Sequence, residues 1–273
     1  QAELTKGDSF AAARQRAVAA LLSPSDAALL SDPNNTLGIE YCRALLRVGA
    51  APALFTIPRT GAAHDATPEN AGGYSASAIR HLLAEGRRAD ALSRMVPTMR
   101  AVYEAEESAG RAPVFAAACE RAILARLRSM TPAEFDALDT GHEGVGQRLY
   151  NASRNAATLD AVLDNAKTKR YAYARLRRMV LWAYLGLTPA KLPASVPYLR
   201  VLAANEIGRA LLGRMRKTAR LPVITKPAAI RSLFPDAQRL FETESRAADL
   251  YALAYPELTE ACGSLWRQNP VMP

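Results

Sequence analysis

Residues 53–57, Ala-Leu-Phe-Thr-Ile, run directly into Pro58-Arg59-Thr60-Gly61. A short apolar, partly β-branched run closed by a proline turn reads as a buried strand. Such a strand needs neighbours, because buried backbone N–H and C=O groups must be paired. Upstream, residues 10–22 read as an alanine-rich helix capped by Asp8 or Ser9. Asp32-Pro33-Asn34-Asn35 opens a second helix over 37–48, which Gly49 ends. Downstream, a loop with Gly61, Asp65, Gly72 and Gly73 leads to Ser75 and Ser77, either of which can cap the next helix. Two helices, one strand and a further helix suit part of an α/β domain. Residues 1–93 are accordingly expected to form the C-terminal half of one.

From Arg94 the pattern turns helical, over 97–109, 114–128, 132–138, 145–156, 158–166 and 170–185, with Gly, Pro or a capping Thr at the breaks. A strand at 198–202, a helix at 206–218 and a strand at 221–225 form a βαβ-like run. A crossover of that length places its two strands parallel. One more amphipathic helix covers 237–254. The expected class is therefore an α/β N-terminal part followed by a mostly α-helical region, 94–273, that contains a small βαβ-like unit.

The 273 residues are 49% hydrophobic and carry a net charge of +9, which suits an anionic partner without selecting among RNA, nucleotide and acidic surface. The three cysteines are far apart; Cys42 and Cys119 lie in helical apolar patterns, which predicts buried, reduced thiols of a cytosolic protein. No apolar run approaches membrane-spanning length. His64, His81 and His142 have no metal spacing around them, no serine has a nucleophile-elbow context, and a complete P-loop is absent. Metal is expected at none of these residues.

Two regions can carry binding chemistry. In the first, a strand end, a glycine-containing loop and a serine-capped helix start make a place for phosphate. Arg59 and Arg80 can neutralise a triphosphate, while Ser75 and Ser77 donate to it; the plainer reading is a pair of capping serines and two surface arginines. In the second, KTKRYAYARLRR at 167–178 holds Lys167, Lys169, Arg170, Arg175, Arg177 and Arg178 with two tyrosines and no acid. A helix there buries Ala172, Leu176, Met179 and Ala183 and turns its cations outward, which suits RNA phosphates with unstacked bases nearby. Arg214, Arg216, Lys217, Arg220 and Lys226 form a second basic cluster.

Several segments in order resemble one family. PNNTLGIEYCRALL (33–46), TIPRTGAAHD (56–65), YSASAIR (74–80), KTKRYAYARLRRMVLWAYLGL (167–187), and PYLRVLAANEIGRALL (197–212) with LPVITKP (221–227) resemble the bacterial tRNA(Met) cytidine acetate ligases, of the HxGH nucleotidyltransferase-like superfamily. The resemblance implies an incomplete Rossmann-like nucleotidyltransferase domain followed by a tRNA-binding region. It also implies a cytoplasmic enzyme that uses ATP, with Mg2+, and acetate to form acetyl-adenylate. The acetyl group then passes to N4 of the wobble cytidine in elongator tRNA(Met).

By that resemblance Asn35 and Arg59 contact ATP, and Ser75, Ser77 and Arg80 contact its phosphates, with Asn34 and Thr60 as second choices. None of the three histidines stands in an HxGH context, so the catalytic residues are not assigned. The chain reads as an N-terminally truncated member that keeps the tRNA-facing half and part of the ATP wall without full activity. The competing readings are a nucleotidyltransferase that adenylates a small molecule and a non-catalytic helical RNA-binding module.

Overall fold

Asp32 shows how the chain's helices begin: its carboxylate accepts from the backbone amides of Asn34 and Asn35 at 2.7 and 3.4 Å. The computed structural model describes residues 10–57, 75–139, 144–169, 171–258 and 261–272. The first helices are α1 (Phe10–Ala19), α2 (Pro24–Ala28) and α3 (Pro33–Val48); Gly49, at φ 65°, closes α3 in the left-handed conformation that a side chain would disfavour. The expected strand is not formed. Residues 51–57 carry no strand assignment and are exposed, with Phe55 and Ile57 each 92% accessible. Among the described residues no neighbouring strand lies alongside to take up its amides, so apolar composition alone does not make a strand there. Cys42 is exposed too, against expectation, while Cys119 is buried as expected.

After Ser75 come α4 (Ala76–Ala84), α5 (Arg88–Ser93) and α6 (Pro97–Ser108). Ile79, Leu82, Ala91, Leu92 and Met95 form a small core, against which Tyr103 packs. Met95 and Tyr103 lie beyond residue 93, so this cluster straddles the boundary expected from sequence. Arg88 ties α5 to α6 by donating to both carboxylate oxygens of Glu107 at 2.6–3.0 Å.

The main core belongs to α7 (Glu120–Ser129), α8 (Pro132–Asp136), α9 (Val145–Asn155), α10 (Leu159–Ala166) and α11 (Tyr173–Leu185). Leu127, Phe135, Leu149, Val162 and Leu176 are fully buried in it. Burial of five such side chains stabilises the bundle by about 1.5–3 kcal/mol each. Gly146 lets α9 approach α8 closely: a Cβ there would lie 2.8 Å from the Asp136 Cα and 2.9 Å from its backbone nitrogen. Arginines bind the carbonyls left open at helix ends. Arg148 donates to Ala166 and Asn165 in the last turn of α10 at 2.8 and 3.1 Å, and Arg154 donates to Arg128 and, at 2.7 Å, to Met130 at the end of α7.

The βαβ-like unit is present. Strands β1 (Leu199–Arg200) and β2 (Val223–Ile224) pair in parallel around α12 (Glu206–Thr218). The long α13 (Pro235–Ala252) and short α14 (Ser264–Arg267) complete the helices. Phe241 packs edge-on to Trp266 at 4.6 Å and joins Tyr198, Ile224 and Ile230 in a third core. Tyr198 donates to Glu244 at 2.9 Å; burial first, and then this carboxylate, push its phenol up. No helix among the described residues is long and apolar enough to cross a membrane.

Candidate functional site

The nucleotide side of the candidate site is built on α4. Ser75 is its N-cap: the hydroxyl oxygen accepts from the Ala78 amide at 3.1 Å, leaving the hydroxyl hydrogen to donate outward. Ser77 and Arg80 are exposed three residues apart, on the side away from buried Ala78, Ile79 and Leu82. An anion at this helix start would meet free backbone amides, a serine hydroxyl and the positive end of the helix dipole. His81 is taken up inside the helix, its Nε2 lying 3.0 Å from Glu85 Oε1. Asn34 and Asn35 are exposed in the first turn of α3, with their backbone amides held by Asp32. Arg59 and Thr60, and with them the glycine loop, His64 and His142, lie outside the described residues.

The basic stretch divides between structural and exposed cations. Helix α11 starts at Tyr173, and Leu176, Met179 and Ala183 are buried as expected. Ala172, its N-cap, is exposed. Arg175 turns inward: it donates to Asp139 at 2.6 and 3.3 Å and lies 5.6 Å from the Tyr171 ring. Lys167 donates to the Thr168 carbonyl at 2.8 Å and sits 5.9 Å from the Tyr173 ring, while Arg177 approaches that ring at 5.4 Å. Lys169, Arg177 and Arg178 are exposed; Arg170 lies outside the described residues. The second cluster is more open, with Arg214, Arg216, Lys217, Arg220 and Lys226 all exposed and no buried residue in α12.

A further feature goes beyond what the sequence predicts. A cleft of about 740 Å3 opens between α4, α6, residues 111–115 and the end of α13, with Arg80 among its lining residues. Met99, Val102 and Tyr251 face it and are each about half or more exposed. Glu106 and Arg111 line both this cleft and an adjoining one of about 930 Å3 that also includes Arg267 and Gln268. Tyr251 and Tyr255, four residues apart at the end of an amphipathic helix, were the visible signal. Among the described residues no group of three His, Cys, Asp or Glu side chains is arranged for a metal.

The chain belongs to the HIGH nucleotidyl transferase family, whose model matches residues 1–264. Within that family it belongs with the tRNA(Met) cytidine acetate ligases. The protein of that name from Acetivibrio thermocellus is 32% identical over 286 residues, a match covering 99% of this chain and 68% of the relative. The apo form I crystal structure of Thermotoga maritima TmcAL superposes with a TM-score of 0.90 at 25% identity, over 99% of this chain and 68% of that one. The form II crystal structure of the same protein, bound with alpha-thio ATP, gives 0.87 at 27% identity with the same coverage.

Proposed function

We propose that this chain serves the ATP-dependent acetylation of N4 of the wobble cytidine in elongator tRNA(Met), in the cytoplasm. The relative crystallised with alpha-thio ATP is the observation that carries the reading, since its fold matches nearly all of this chain. In the first step an acetate oxygen attacks the α-phosphorus of ATP and the bond to pyrophosphate breaks, giving acetyl-adenylate. In the second, N4 of cytidine attacks the acetyl carbonyl, AMP leaves with the C–O bond electrons, and N4 gives up a proton. Neither step needs a protein nucleophile; positioning and positive charge suffice.

Residues 1–93 are assigned the ATP wall: Asn35, Arg59 and Thr60, with Ser75, Ser77 and Arg80 around the phosphates at the start of α4. Magnesium is assigned to the nucleotide, carried on its phosphates. Residues 94–273 are assigned the tRNA-facing surface, where exposed Lys169, Arg177 and Arg178 and the cations of α12 supply phosphate contacts. Lys167 and Arg170 are assigned to the same surface, whereas Arg175 supports it from inside. None of the chain's histidines stands in an HxGH context, so these 273 residues are expected to bind without turning over. The test is thermal melting with ATP and pyrophosphate release from ATP plus acetate. A rise in melting temperature that is lost in Arg80→Ala supports the reading, and no rise at millimolar ATP contradicts it.

A further inference from the structure

We propose that the cleft floored by Met99, Val102 and Tyr251, with Glu106 and Arg111 in its wall, receives the unstacked target cytosine of the tRNA. This rests on the acetylation reading above and names where that substrate's base goes. Half-exposed Met99, Val102 and Tyr251 come from two distant helices and turn apolar surface into one concavity. The Tyr251 ring is braced edge-on by Tyr255 at 5.8 Å and 88°, which leaves a face for stacking. Its volume, about 740 Å3, is ample for a nucleoside.

The wall supplies the polar complement. Arg111 donates to Glu106 through Nε at 2.6 Å and through an Nη at 2.9 Å, so the two side chains present an acceptor and a donor side by side. The carboxylate spends two of its four lone-pair sites on Arg111 and keeps acceptor capacity. Cytosine offers the matching edge: its N4 amine donates to a carboxylate, and its N3 and O2 accept from a guanidinium. Uracil carries an acceptor where cytosine has the amine, and meets the carboxylate with repulsion. Adenine shares the amine, and the nucleotide co-substrate could bring it, so the two sources need separate arms. Position favours the tRNA base. Arg80 lies at the edge of this cleft, five residues or about 8 Å of helix from the Ser75 cap where the phosphates are placed.

The test is fluorescence anisotropy of the 273-residue chain with anticodon stem-loops carrying cytidine, uridine or an abasic site at the wobble position. The expected result is cytidine over abasic by about tenfold, the scale of one base–aromatic stack, shrinking to about twofold or less in Tyr251→Ala. Glu106→Gln is expected to remove the preference for cytidine over uridine while keeping that over the abasic site. Both positions are exposed enough for the variants to fold, which melting curves verify; Val102→Glu provides a second disruption of the floor. Equal binding of all three RNAs, or unchanged preferences in these variants, overturns the cleft assignment and leaves the tRNA reading standing. Loss of the cytidine preference on adding adenosine assigns the cleft to adenine and overturns it too. Binding of none of the stem-loops removes the tRNA reading and the inference with it.

Discussion

Arg175 and Asp139 are bound side chain to side chain across 36 residues, with contacts of 2.6 and 3.3 Å and no more than a quarter of either side chain exposed. This pair removes one arginine from a stretch that otherwise looks uniformly suited to RNA. Arg178, three residues on, points to solvent. The two positions therefore separate stability from binding. Arg175→Ala is expected to destabilise the fold by about 2 kcal/mol in urea denaturation, because it strands the Asp139 carboxylate. Arg178→Ala is expected to leave stability within about 0.5 kcal/mol and to reduce the slope of log affinity against log salt for tRNA by roughly one. A large stability loss in Arg178→Ala, or an unchanged fold in Arg175→Ala, contradicts this division.

Two helical glycines make a paired prediction. Gly213 in α12 has nothing within 4 Å of an added Cβ, so Gly213→Ala should stabilise the chain by about 0.5–1 kcal/mol through helix propensity. Gly146→Ala has the same intrinsic gain, yet its methyl would press on the Asp136 backbone at 2.8–2.9 Å. Overpacking of that kind costs about 1–3 kcal/mol, so the net effect should be destabilising. Equilibrium unfolding of the two variants beside the parent reads the opposite signs directly.

Much of this organisation was legible in local sequence. Asp32, Thr158 and Gly186 mark helix ends by chemistry that acts within a few residues, and the parallel pair β1–β2 follows from a helix of fitting length between two apolar runs. The exposed run at 51–57 forms no strand because a strand is a relation between segments, and apolar composition supplies only one partner. Arg175 turns inward to an acid, Asp139, that no local pattern in the sequence ties to it. Only Tyr251 and Tyr255 hint at the cleft in the sequence, because Tyr103 and Tyr251 come to line it from helices far apart in the chain.

Acid should loosen the contact between α5 and α6. Hydrogen bonds from Arg88 hold the Glu107 carboxyl below the ordinary value of 4.5. With the folded value depressed, the unfolded chain takes up the proton more readily. The stabilisation is therefore complete above the ordinary value and fades as pH falls through the folded one. Glu107→Gln should consequently be less stable than the parent near neutral pH, with the gap closing below about pH 4. A gap that stays constant on acidification would show that the carboxylate contributes nothing through its charge.

Recognition of tRNA(Met) is measured by binding of elongator tRNA(Met) to the 273-residue chain, against a non-cognate tRNA, at low and at physiological salt. Expected is tighter binding of tRNA(Met) at both, with affinity for both RNAs falling steeply as salt rises while the preference between them persists. Equal affinity for the two RNAs would contradict recognition of tRNA(Met), and affinity indifferent to salt would contradict the basic surface proposed to hold it.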